Sequence, residues 1–252
     1  MNLPLWPPHI PAVTSARVHD YLSAGKDNFA ADRQVAEKML TADPAQLAMV
    51  DASRSRIRQA VVEMATSGID QFADLGCGLP RMDQRGLHDL VQTITPGAAV
   101  VYIDHDLHAA VTTRAHYRHE VVSVVDGDLR DPTKLLSDPE IVARLDLRRP
   151  IGLVCALTLP HLLDDEVTAL CAALAAVVPP RSQMVITHPS GAHAQAAADA
   201  YRHGTAEHGA EDFAVARSPY VLESLLEGWS ATTTSEAVGP LSDLLTVTAT
   251  RT

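Results

Sequence analysis

Aromatic residues make up only 4% of the 252-residue chain, so a core has to be assembled mainly from Ala, Val, Leu and Ile. Cysteine is nearly as scarce. Cys77, Cys155 and Cys171 are odd in number, sit in apolar company and show no metal-ligand spacing, which points to reduced, buried thiols. Positive charge is also short, with 20 Lys and Arg against 31 Asp and Glu, a formal charge of −11. A nucleic-acid backbone is held by clustered cations, so this balance argues against a nucleic-acid partner. No run approaches the roughly 18 apolar residues of a membrane span. The opening Met1-Asn2-Leu3-Pro4-Leu5-Trp6-Pro7-Pro8 lacks the basic region and apolar run of a secretory signal. The expectation is a cytoplasmic protein with no membrane association. Among 12 histidines there is no His-Glu-x-x-His pair, and the spacing of His203 and His208 does not put both on one helix face. No metal is expected.

What is present is an ordinary globular composition, 46% hydrophobic and 20% charged. The first dozen residues are Pro-rich and read as irregular. From Thr14 to about Gly68 the text is helical, with Ser15 placed to cap one helix and Asp27 or Asn28 to cap the next. Leu47, Val50, Ile57, Val61 and Met64 follow a helical period over Ala45–Ala65, with Arg54, Arg56 and Arg58 off that stripe. Residues 1–68 therefore read as a helical N-terminal extension and 69–252 as the main domain. There, five apolar strand candidates alternate with helices: Gln71–Leu75, Ala99–Asp104, Val121–Asp126, Ile151–Leu157 and Gln183–His188. That alternation predicts a parallel sheet covered on both faces. Two Thr- and Val-rich segments, Trp229–Val238 and Leu244–Thr250, are joined by too short a loop for a crossover and predict a closing antiparallel hairpin.

In an open parallel sheet, ligands bind outside the carboxyl ends of the strands. The first strand ends in Asp74-Leu75-Gly76-Cys77-Gly78, where glycines permit a tight turn and close backbone approach. Gly-x-Gly alone is weak evidence. The third glycine of a dinucleotide fingerprint is missing, and Leu79-Pro80 follows, which suits the helix start of a pyrophosphate site poorly. The second strand ends in Asp104-His105-Asp106. Asp104 is the natural acceptor for two ribose hydroxyls; Asp106 is the alternative, or simply the cap of the next helix. The third ends in Asp126-Gly127-Asp128-Leu129, where Asp128 could accept from an adenine amino group and the Leu129 N–H could donate to the ring. The plain alternative for Asp128 is a turn residue ahead of Asp131-Pro132. Three such strand ends in succession, in this order, suit a nucleoside better than any one alone.

The chain resembles the actinobacterial S-adenosylmethionine (SAM)-dependent methyltransferases once catalogued as the DUF574 group. The likeness is carried by Ala16-Arg17-Val18-His19-Asp20-Tyr21-Leu22, by Gly25-Lys26-Asp27-Asn28-Phe29-Ala30-Ala31-Asp32-Arg33, and by Gly68 through Pro80 around Asp74-Leu75-Gly76-Cys77-Gly78. It continues through Val100 to Asp106 and Asp126 to Pro132. The resemblance implies a Rossmann-like class I methyltransferase fold, a seven-stranded mostly parallel sheet, with SAM as cofactor and S-adenosylhomocysteine (SAH) as product. Its cofactor contacts would be Asp74, Gly76, Gly78, Asp104, His105, Asp128 and Leu129. Lys26 and Asn28 would close the site if the Gly25–Phe29 segment folds over the strand ends; the competing reading is a helix–helix turn capped by Gly25. The family's usual segment after the fourth strand is replaced here by Leu157-Thr158-Leu159-Pro160-His161-Leu162, on the acceptor side.

Methyl transfer needs a nucleophile aligned with the sulfonium methyl and often a base; positioning alone supplies roughly 7–11 kcal/mol in favourable cases. His161 after the fourth strand and His188 after the fifth are the histidines best placed to meet an acceptor, and Tyr21 lies one turn before Gly25. A small-molecule acceptor is expected, methylated on O, N or C, and a homodimer is left open. The alternatives are a SAM-binding protein without transfer and a cofactor-assisted rearrangement.

Overall fold

The computed structural model describes residues 12–81 and 85–251. The Pro-rich first eleven residues and Met82–Gln84 of the loop after Pro80 lie outside them. Seven strands, β1 (Gln71–Leu75), β2 (Ala99–Asp104), β3 (Val122–Asp126), β4 (Gly152–Ala156), β5 (Gln183–Ser190), β6 (Trp229–Gly239) and β7 (Ser242–Arg251), form one sheet in the order β3-β2-β1-β4-β5-β7-β6. β1 to β5 are parallel. β7 inserts antiparallel between β5 and β6, pairing His188 with Leu245 and Trp229 with Arg251. The expected hairpin thus forms, on a tighter turn: Gly239 already pairs with Ser242, so only Pro240 and Leu241 connect the strands.

The helices are α1 (Ser15–Leu22), α2 (Ala30–Ala42), α3 (Gln46–Thr66), α4 (Leu87–Gln92), α5 (Leu107–His116), α6 (Pro132–Leu136), α7 (Pro139–Arg144), α8 (Asp164–Val177), α9 (Ala192–Glu207) and α10 (Pro219–Ser224). The parallel strands bury alternate residues on opposite faces, which is why their sequences are mostly apolar. Ala73, Leu75, Val101, Ile103 and Cys155 face α7, α8 and α10 through Ile141, Leu170, Leu174 and Leu222. Phe72, Val100, Tyr102 and Val154 face the other way, onto Ile57, Ala60, Val61 and Met64 of α3 and Val91 of α4. α3 is therefore one of the helices packed on the sheet. α1 and α2 join it through a third cluster, in which Val18, Leu22 and Val35 meet Met49 and the Ala194, Ala197, Ala198 and Tyr201 stripe of α9.

Two helices escape the sequence pattern. α9 buries mostly alanines, whose small side chains give little contrast with their neighbours. α6 is a single short turn that Asp131 caps by accepting from the Lys134 N–H at 3.1 Å, so Asp-Pro here opens a helix. No helix among the described residues is long and apolar enough to cross a membrane, and no group of three or more His, Cys, Asp or Glu among them could hold a metal ion.

Candidate functional site

The chain runs outward from β1 to β3 on one side and resumes at β4 on the other, so a crevice opens at the carboxyl ends of β1 and β4. It contains about 1160 Å³ of open space, its solvent-facing mouth included. Asp74, Gly76, Gly78, Asp104, His105, Asp128 and Leu129 all line it. The turn after β1 is set by close contacts. Gly76 has φ 78°, and a Cβ there would lie 2.3 Å from the Thr158 methyl. Thr158 in turn donates its hydroxyl to the Leu75 carbonyl at 2.8 Å, tying the β4 loop to the β1 loop.

Asp104 is 5% exposed and sits at the hub. One oxygen accepts from the Gly78 N–H at 2.7 Å, the other from the Asp106 N–H at 2.9 Å. Burial raises its pKa, and these two N–H donors pull the other way. Asp106 does not line the cleft. It caps α5, accepting from the His108 N–H at 2.8 Å, and takes the Thr14 hydroxyl at 2.5 Å. Asp128 lies on the cleft with both oxygens held by the Arg130 guanidinium, which lowers its pKa. Asp74 is the other extreme: burial, and secondarily Asp104, push its carboxyl up to about 7. Burial pushes the Cys77 thiol up as well, so it is no thiolate.

The opposite wall comes from α1 and α3, through Ser15, Ala16, His19, Asp20, Ser23 and Arg54. The Gly25–Phe29 loop contributes nothing to that lining. α1 ends in a Schellman turn: Ala24 N–H bonds the Tyr21 carbonyl at 2.9 Å and Gly25 N–H bonds the Asp20 carbonyl at 2.7 Å. The left-handed residue is Ala24 (φ 57°), not Gly25. Gly25 is required for space, because a Cβ there would lie 1.8 Å from an Asp20 carboxylate oxygen. That carboxylate collects the Asp27 N–H and the Asn28 amide, both at 2.8 Å. Asn28 is thus spent within the loop, its carbonyl oxygen taken by Arg33 at 3.0 Å, and Lys26 is exposed away from the cleft. Neither Asp27 nor Asn28 caps α2, nor does Ser15 cap α1. Phe29 is the N-cap of α2, its N–H bonded to Asp32 at 2.9 Å, and Thr14 the N-cap of α1. Cations at this end of the cleft are Arg54 and Arg81, which hydrogen-bond the hydroxyl and the carbonyl of Ser23.

Of the three expected acceptor-side residues, only His161 lines the cleft. Its Nδ1 is 2.8 Å from the Phe213 carbonyl, an obligate acceptor, so Nδ1 carries the proton and Nε2 keeps its lone pair. Burial lowers its pKa, with Asp212 and the Phe213 carbonyl opposing. The ring meets His19 edge-on at 5.7 Å and Tyr201 at 5.2 Å, and burial takes His19 down to about 3. His188 is fully buried: its Nδ1 bonds the Pro189 carbonyl at 2.8 Å and its Nε2 accepts from Arg217 at 3.1 Å. It lies off the cleft because β5 runs two residues past it, into pairing with β7. Tyr21 follows Asp20 on α1, about 100° further round the helix, and its hydroxyl points to Glu37 on α2. Sequence reading missed His19, Asp20, Arg54, Thr158 and Asp212 as cleft residues. Arg54 was visible only as a polar position off an apolar stripe, and Asp212 falls in a segment with no period.

Among the described residues the carboxyl groups of Asp20, Asp74, Asp104, Asp128 and Asp212 line the cleft, against the guanidiniums of Arg54, Arg81 and Arg130. A buried carboxylate at the end of β2 beside a glycine turn, and a net acidic surround, fit a nucleoside that bears a positive centre. A family model described as S-adenosyl methyltransferase matches residues 9–233. The chain belongs to this family. This S-adenosyl methyltransferase uses SAM as its cofactor, and its sheet and helices are those of the class I methyltransferase fold. It is similar to the crystal structure of a candidate methyltransferase from Thermobifida fusca, at 26% identity and TM-score 0.85, covering 98% of this chain and 99% of that one. A DUF574 family protein from Streptomyces avermitilis shares the fold at 23% identity, TM-score 0.83, 96% and 98% coverage. So does the 1,6-didemethyltoxoflavin-N1-methyltransferase of Burkholderia thailandensis, solved with bound 1,6-didemethyltoxoflavin and SAH, at 16% identity, TM-score 0.52, 100% and 93% coverage. A search of curated protein sequences finds no match.

Proposed function

We propose that this methyltransferase acts on a small molecule whose nucleophilic atom carries a proton, an O–H or N–H, and that His161 accepts that proton. The single observation behind this is the 2.8 Å contact between His161 Nδ1 and the Phe213 carbonyl. A neutral imidazole with Nδ1 tied to the Phe213 carbonyl presents only a lone pair at Nε2, on a ring that lines the cleft. Such a group is a proton acceptor and nothing else. When bound, SAM supplies an electrophilic methyl group on a sulfonium. Asp104 would hold the ribose hydroxyls, Asp128 and the Leu129 N–H the adenine, and the Gly76–Gly78 turn would lie against the methionine part. Arg54 and Arg81 provide, beside Ser23, the positive charge for the methionine carboxylate that Lys26 is too exposed to provide. The charge of −11 supports a small acceptor over a nucleic acid, and three unpaired thiols support a cytoplasmic setting.

His161→Asn retains a donor toward Phe213 and removes the base. With labelled SAM and a panel of phenols, alcohols and amines, the wild type is expected to label an acceptor. The variant should label it about 10²- to 10⁴-fold more slowly while binding SAH as before. Undiminished transfer would remove His161 from the chemistry. Tight SAH binding with no labelled product across the panel would favour a binding protein instead.

A further inference from the structure

We propose that Arg217 and His188 are positioning residues, which clamp the turn carrying His161 and hold its ring in the proton-accepting tautomer. The proposal rests on the reading of His161 as the base. Arg217 is 3% exposed, and its guanidinium makes four hydrogen bonds and an ion pair. Nε–H donates to an Asp164 carboxylate oxygen at 2.9 Å, and Nη2 lies 2.8 Å from the same oxygen as an ion pair. Nη2–H donates to the Leu162 carbonyl at 2.6 Å. Nη1 takes the Leu159 carbonyl at 2.8 Å and His188 Nε2 at 3.1 Å. The guanidinium therefore grips both backbone carbonyls that bracket the 3-10 turn Leu159–His161, together with the first residue of α8.

The same segment stitches the turn in register. Val215 N–H bonds the Pro160 carbonyl at 3.1 Å, Arg217 N–H bonds the Pro189 carbonyl at 3.2 Å, and Phe213 offers its carbonyl to His161. His188 is the uncharged anchor. Its Nδ1–H is committed to Pro189, so Nε2 can only accept, and a guanidinium hydrogen is what it accepts. A protonated ring would turn that contact into repulsion, and burial with the adjacent Arg217 charge drives the His188 pKa down to about 3. Lysine cannot replace the fork, since an ammonium has three donors on one atom and cannot span carbonyls three residues apart.

The test reads the His161 ring directly, in full-length protein labelled with ¹⁵N-histidine and saturated with SAH. Wild-type spectra are expected to show His161 with the proton on Nδ1. In Arg217→Lys the turn should loosen, and His161 should move to a mixture with the Nε2–H form. Its pKa should rise toward the ordinary histidine value of about 6.5. SAH affinity should stay within about threefold, because the nucleoside is held at the ends of β2 and β3. A folded Arg217→Lys variant with an unchanged His161 tautomer and titration overturns the proposal. If that variant does not fold, His188→Leu removes the lone pair facing Arg217 and should give the same signature; an unchanged His161 there overturns it equally. The outcome is independent of turnover. A shifted ring in Arg217→Lys alongside full transfer by His161→Asn would retain the clamp and discard the base.

Discussion

At the scale of single residues, Asp104 carries two duties with one carboxylate. It anchors the Gly78 N–H, which shapes the turn after β1, and it faces the cleft where a ribose diol would sit. Charged acceptors lose about 1.5–3 kcal/mol per hydrogen bond removed. Asp104→Ala should therefore weaken SAH binding at least 10-fold in calorimetric titration. Asp70→Ala is the control, since Asp70 only pairs with Arg149 at the amino end of β1; it should leave affinity within about twofold of wild type. Equal affinities for the two variants would take Asp104 out of the site. Asp104, Asp128 and the glycines were legible in the sequence because strand ends are legible. The Asp128 carboxylate shows the limit of that reading, since its partner Arg130 is two residues away and no pattern marks the pair.

At the scale of elements, the end of α1 turns on two adjacent small residues with opposite demands. Ala24 occupies a left-handed conformation that glycine adopts freely, whereas Gly25 sits against the Asp20 carboxylate with no room for a methyl. Ala24→Gly is expected to stabilise the protein by about 0.5–1 kcal/mol, and Gly25→Ala to destabilise it by about 1–3 kcal/mol, in urea unfolding. Effects of the same sign at both positions would contradict the turn described here. The inner face of α1 lines the cleft while the loop beyond it does not. SAH should therefore slow amide exchange over Ser15–Ser23 and leave Lys26–Phe29 nearly unchanged, and protection confined to the loop would reverse that assignment.

At the scale of the whole molecule, buried and half-buried ionisable groups give opposing pH dependences. His19 and His188 have pKa values driven down to about 3, so the unfolded chain takes up their protons first and stability falls as pH drops below about 6.5. Asp74 works the other way. With its pKa raised to about 7, the folded chain keeps a proton that the unfolded chain releases near pH 4, so this group costs stability as pH rises through that window. Asp74→Asn removes the second effect and leaves the first. The slope of unfolding free energy against pH, measured without ligand between pH 5 and 6, should steepen by about 1.4 kcal/mol per unit. An unchanged slope would mean that Asp74 is ionised in the folded protein. The cationic cofactor favours the ionised form, so SAM binding near pH 7 should release protons to the buffer.

The sequence by itself determined the sheet and the strand ends, because these depend on features that are local in the chain, and its likeness to the family supplied the cofactor. Five of the strands are mostly apolar runs, the β1 turn is a glycine pair, Asp104 ends β2 and Asp128 lies two residues beyond β3. The acceptor side was decided only by tertiary structure. His161, His188 and Tyr21 looked alike as polar residues near strand or helix ends, and packing gave them three different surroundings. β5 continues past His188 into pairing with β7 and buries it beside Arg217, 29 residues away in sequence. Helical rotation turns Tyr21 toward α2. Only His161 is left on the cleft, its tautomer set by a carbonyl 52 residues further on. Contacts between such distant residues follow no period along the chain, so they leave no trace until the chain has folded.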